Sequence, residues 1–162
     1  MNNSHKLSWS PETMFQSRRA DENTQIRAGV GIAIFDTDRK ILLERRSDCG
    51  WWGMPGGRID PGESISDTVI REAFEETGLH VRIIRFLGVY SGPQDRIVTF
   101  PERVVQLVDV IVEAEIVSGE LTVSHESLEL GFFDLHALPA EIVPPARAIL
   151  EDLQNGRSGV IR

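Results

Sequence analysis

Apolar and polar positions alternate along the chain with two different periods. From Arg27 the run RAGVGIAIFD is apolar and β-branched; KILLERR follows after the turn signal DTDR. This pattern predicts a hairpin feeding a sheet. CGWWGMPGGRIDPGES is rich in glycine and proline and reads as loop, with a short extended piece at Arg58 and Ile59. SISDTVIREAFEET carries helical spacing, so a helix is expected over Ile65–Thr77 with Gly78 as its stop. VRIIRFLGVYS predicts the next strand and SGPQDRIVTFPE an exposed loop. RVVQLVDVIVEAEIV predicts a long strand, too apolar on both faces to be half-exposed. SGELTV closes a hairpin and LELGFFDL adds a short strand. A last helix is expected from Pro144-Pro145, because proline suits a first helical turn, to the stop at Asn155-Gly156.

The order strands, helix, strands, helix implies an α/β (α+β) fold with a mixed sheet between helices, an α/β/α sandwich. Residues 1–25 are polar and aperiodic, with Trp9, Met14 and Phe15 as the large apolar anchors, and are expected to form an N-terminal arm. Residues 26–156 read as one domain and 157–162 as a loose tail. At 162 residues the chain is long enough for a single substantial core. A formal charge of −8 argues against a surface for nucleic acid polymers. One cysteine, Cys49, rules out an intrachain disulfide and fits a cytoplasmic, reducing location. No apolar run approaches a membrane span.

REAFEETG changes this bland picture, because it crowds Glu72, Glu75 and Glu76 into the last turns of the predicted helix. The helix dipole disfavours anions there. Taking Ile65 as zero, the three carboxylates fall near 280, 340 and 20 degrees, a sector of about 100 degrees. Ile65, Val69, Ile70, Ala73 and Phe74 are the expected buried arc, with Glu76 against it. Arg71, four residues before Glu75, relieves part of the repulsion, but one arginine does not balance three carboxylates. Clustered glutamates match the oxygen-only coordination of Mg²⁺. The preceding MPGGRIDPGES adds two adjacent glycines where a backbone can approach a ligand, so a joint phosphate and metal site is plausible.

Gly57, five residues, Glu63, seven residues, then Arg71-Glu72-Ala73-Phe74-Glu75-Glu76-Thr77-Gly78-Leu79 resembles a complete Nudix box. WWGMPGG before it and ESLELGFFDLHALP after it are similar to the flanks of bacterial Nudix hydrolases. The resemblance implies the Nudix α/β/α sandwich and hydrolysis of a nucleoside diphosphate linked to another group, dependent on Mg²⁺ or Mn²⁺. It implies that Glu72, Glu75 and Glu76 bind metal, joined by the backbone carbonyl of Gly56. Arg71 would orient Glu75, and Glu63 would brace the loop, helix and following loop. The proton acceptor is a box glutamate or a carboxylate from a later loop, with Glu126 in SHESLE first and Glu129 second. Homodimers are common among such hydrolases.

On the substrate side, Trp51 or Trp52 can stack on a base, and Tyr90 and Phe100 bracket the loop where specificity is expected. Arg27, Arg96 and Arg103 are candidates to clamp phosphate or ribose. The expected partner is a small nucleoside diphosphate derivative: ADP-ribose, a nucleotide sugar or a modified nucleoside triphosphate. The alternative is a Nudix-fold regulator that binds a nucleotide without turnover.

Overall fold

The structure is a computed structural model and describes residues 10–15 and 19–162. Trp9 therefore lies outside the described residues, as do residues 1–8 and 16–18 of the expected arm. The described elements are α1 (Pro11–Phe15), β1 (Gln25–Phe35), β2 (Ile41–Arg46), β3 (Trp52–Gly53), α2 (Ile65–Thr77), β4 (Leu79–Tyr90), α3 (Pro93–Arg96), β5 (Ile97–Phe100), β6 (Arg103–Gly119), β7 (Ser127–Phe133), α4 (Pro144–Gln154) and β8 (Val160–Ile161).

The sheet has eight strands, with a central path β3-β2-β1-β6-β4-β8, β5 pairing with β6 and β7 with β2. It is mixed: β1 runs parallel to β6, while β2 is antiparallel to β1 and β4 to β6. Both faces are covered, which explains why β1 and β6 are apolar at consecutive positions. On one face Val69 and Ala73 of α2 pack against Val30, Ile32, Leu42 and Val112. On the other, Ala146, Ile149 and Leu150 of α4 pack against Ala33, Leu43, Leu87 and Ile111. The molecule is thus an α/β/α sandwich with a core on each side of the sheet.

Three local expectations change. The loop SGPQDRIVTFPE holds α3 and β5, because Ile97, Val98 and Thr99 find hydrogen-bonding partners along β6. The tail is held in place: Val160 and Ile161 pair in parallel with Gly88 and Val89 as β8, and the Arg162 guanidinium lies 3.1 Å from Asp152. On α2, Val69 and Ala73 are buried as expected, but Ile65, Ile70 and Phe74 are 40, 40 and 49% exposed. The sheet instead covers Thr68, Val69, Ala73, Glu76 and Thr77, so the buried arc is rotated toward the carboxylates. Phe74 stacks on His80 at the surface, with ring centroids 4.6 Å apart.

Candidate active site

The segment from Pro55 to Ile59 lies antiparallel against β1. Ile32 and Val30 donate to the carbonyls of Pro55 and Gly57, and Ile59 donates to Ala28. Gly56, between them, has φ +149, and a Cβ there would collide with the Val30 carbonyl. A Cβ on Gly57 would collide with the Glu72 carboxylate. Gly56 is therefore a steric requirement for bringing this backbone under α2, while a side chain at position 57 would displace the Glu72 carboxylate. The Gly56 N–H donates to Glu76 Oε2 at 2.7 Å, while its carbonyl accepts no hydrogen bond among the described residues.

Helix α2 is fixed at both ends. Ser64 and Asp67 form a capping box, and Gly78 adopts the left-handed conformation at the C-terminus, its N–H donating to Phe74. Arg71 is the hub of the exposed side. Its Nε and Nη2 donate to Glu63 at 2.6 and 2.8 Å, and its Nη1 donates to Glu72 at 2.8 Å and to Glu75 at 3.0 Å. Glu63 also accepts from the Asp60 N–H and the Thr68 hydroxyl, tying turn to helix. The guanidinium of Arg71 holds the Glu63 carboxyl down at about 2.

Glu76 is different. It is 6% exposed and, among the described residues, receives only the Gly56 N–H. Burial, with the Glu44 carboxylate nearby, pushes its pKa up to about 9. Burial also raises Glu72 above the ordinary carboxylate range, against the pull of Arg71. Negative charge is thus concentrated beyond what the protein's own donors satisfy.

These groups line an open cleft of about 690 Å³ that brings together Glu72, Glu75, Glu76, Gly56, Arg71 and Glu126. Glu63 stands one contact behind, through Arg71. Glu126 lines the cleft with a side chain 63% exposed; Glu129, on β7 opposite Arg45 of β2, does not line it. As the side chains stand, no three carboxylates among the described residues converge as a ready cation site, because Arg71 occupies Glu72 and Glu75. The donor set is nonetheless entirely oxygen, three carboxylates and a free carbonyl, which fits a hard divalent cation.

The candidate substrate residues divide. Arg27 and Arg103 line the cleft. Arg96 is buried in an adjoining pocket of about 150 Å³, ion-paired with Asp109 and donating to the Pro145 carbonyl at 2.7 Å, so two of its five N–H donors are engaged. Tyr90 and Trp52 are in the core and not at the cleft. The Tyr90 hydroxyl donates to Asp152 at 2.8 Å, and Trp52 packs edge-on against Phe133 with centroids 4.9 Å apart. An aromatic next to a loop packs inward when the sheet behind it needs covering, and both sit over the α4 face.

Three residues escaped the sequence reading. Glu44 is 2% exposed and accepts the Ser127 hydroxyl at 2.8 Å. Arg46 lines both the cleft and the side pocket and is bound by Asp48 at 2.6 Å. Asp109 is the buried partner of Arg96. The available signal was alternation: on β2, Leu42, Glu44 and Arg46 share one face, and that face is the one α2 covers.

The NUDIX domain family model matches residues 25–153. The ADP-ribose pyrophosphatase of Methanocaldococcus jannaschii is 33% identical over 129 residues, 78% of this chain and 72% of that protein. Among solved structures, an ADP-ribose pyrophosphatase from Streptococcus suis aligns with TM-score 0.62 and 26% identity, covering 84% of this chain and 97% of that one. A MutT NUDIX hydrolase from Burkholderia pseudomallei aligns with TM-score 0.64 and 31% identity, covering 78% and 97%. With the box glutamates gathered on one cleft between α2 and the glycine loop, this chain belongs to the NUDIX family and is an enzyme of the Nudix hydrolase type.

Proposed function

We propose that the protein hydrolyses the diphosphate linkage of a small nucleoside diphosphate derivative, using Mg²⁺ or Mn²⁺ held by Glu72, Glu75, Glu76 and the Gly56 carbonyl. The observation that carries this reading is the buried Glu76 carboxylate, which has one donor among the described residues and a strongly raised pKa. A bound divalent ion would neutralise phosphate oxygens and acidify water in the cleft.

The chain's own residues do the rest. Arg27, Arg46 and Arg103 line the cleft and supply positive charge for the diphosphate oxygens. Their local positive charge supports the acceptance of an anionic substrate by a protein of net charge −8. Water attacks phosphorus, the bond from phosphorus to the bridging oxygen breaks, and Glu126 takes the proton of the attacking water. Arg71 keeps Glu72 and Glu75 in place, and Glu63 keeps Arg71 in place. The side pocket opens beside Gly56 and Gly57, and Val30, Met54, Phe100 and Ile149 give it apolar walls suited to a ring of the substrate.

ADP-ribose heads the list of substrates to test, because two relatives carry that name. The test is a panel of ADP-ribose, nucleotide sugars and modified nucleoside triphosphates with each metal, assayed for released nucleoside monophosphate or diphosphate ion. Metal-dependent turnover of at least one compound is expected. Tight binding with no turnover on the whole panel would identify a nucleotide sensor instead.

A further inference from the structure

Glu44 is a buried carboxylate that the reaction described above does not use. It lies on β2 with Leu42 toward α2, 2% exposed, where a leucine would pack without desolvating a charge. Among the described residues its carboxylate accepts one hydrogen bond, from the Ser127 hydroxyl, 2.8 Å from Oε2; Arg46 stands farther off, at 3.9 Å. Ser127 begins β7, and the register between β2 and β7 shifts at Arg45/Arg46, opposite it. Regular pairing therefore ends where the turn Ser124–Ser127 begins, and other bonds must hold that turn. Ser127 N–H donates to the Ser124 carbonyl, Glu126 N–H to the Ser124 hydroxyl, and Ser47 N–H to the Glu126 carbonyl. The Glu126 side chain itself is exposed in the cleft, with His125 Nε2 3.6 Å away. Among the described residues, the hydrogen bonds of this turn, with the Ser124 and Ser127 hydroxyls 3.4 Å apart, set where it points.

We infer that Glu44 is a positioning residue: through the Ser127 hydroxyl it anchors the turn that presents Glu126 to the attacking water. The inference rests on the proposed hydrolysis, and it adds a requirement for a residue 82 positions away in sequence from the group it serves.

The test combines kinetics with amide hydrogen exchange. Ser127→Ala and Glu44→Leu are expected to lower kcat about tenfold, with KM for substrate within about twofold, and Ser127→Ala, which keeps the Glu44 carboxylate beside Glu76, is expected to leave the Mg²⁺ dependence unchanged. Glu44→Gln, whose amide oxygen accepts the same hydroxyl, is expected to stay within about threefold of wild type. In a Glu126→Gln background, Ser127→Ala should cost nothing further, because the two act as a unit. Amides of residues 124–127 should exchange faster in Ser127→Ala and Glu44→Leu, and at the wild-type rate in Glu44→Gln. Multiplying losses, full activity in Glu126→Gln, or Glu44→Gln falling as far as Glu44→Leu would each overturn the inference. Unchanged exchange in Ser127→Ala would overturn it whether or not the enzyme turns over. A wild type inactive on every substrate refutes the proposed hydrolysis, a failure separate from the exchange result.

Discussion

Glu76 costs the metal-free protein stability at neutral pH. An unfolded glutamate titrates near 4.5, while burial and Glu44 raise the folded value to about 9. Between those values the folded state binds a proton that the unfolded state has released, so stability falls as pH rises through the window. In chelator, melting temperature should therefore drop from pH 5 to pH 9, and Glu76→Gln should flatten that slope and melt several degrees higher at pH 8. Equal slopes in the two proteins would show that Glu76 is not the strained group. Cys49 gives an independent check on burial near the loop. Partial burial pushes its thiol up to about 11 from an ordinary 9, so alkylation at pH 8 should run about a hundredfold slower than for a free thiol. Alkylation at the free-thiol rate would contradict the packing of Cys49 against the core around Trp52.

At the scale of elements, α2 shows what local pattern reveals and what it hides. Its ends were legible because caps are local: Ile65–Thr77 and the Gly78 stop follow from neighbouring residues alone. Its buried face was only partly legible. Ile70 and Phe74 satisfy a helical apolar stripe, but the sheet lies against Thr68, Ala73 and Glu76, and only tertiary packing decides that. Strand β5 was hidden for the same reason, since four residues in a polar loop become a strand only once β6 is beside them. The cap is testable. A Cβ on Gly78 would lie 2.5 Å from the Glu120 carbonyl oxygen, at φ +74, so Gly78→Ala should destabilise by at least about 2 kcal/mol in urea unfolding. Ser64→Ala should cost about 1 kcal/mol. A neutral Gly78→Ala would mean that α2 does not end as described.

At the scale of the molecule, the proposed catalytic chemistry sits where a local motif meets the sheet. The box was legible because Gly57 to Leu79 is contiguous, and its residue types declare an oxygen-only site. Glu44, Arg46 and Asp109 were not, because strand pairing and the α2 face, rather than sequence proximity, bring them in. Sheet pairing also explains the tail. Asp152 is 1% exposed, accepts from Tyr90 and Arg157, and is ion-paired with Arg162. Removing residues 157–162 should leave that buried carboxylate without its two arginines and lower the melting temperature by several degrees. An unchanged melt would mean that β8 adds nothing to the sheet.

Hydrolysis of ADP-ribose with Mg²⁺ or Mn²⁺, measured as AMP release by wild type and Glu76→Gln, tests the central claim most directly. The account predicts turnover by wild type that chelator abolishes. It predicts a loss of at least about a hundredfold in Glu76→Gln, whose folded state is intact or more stable. Full activity in Glu76→Gln, or wild-type turnover indifferent to chelator, would contradict it.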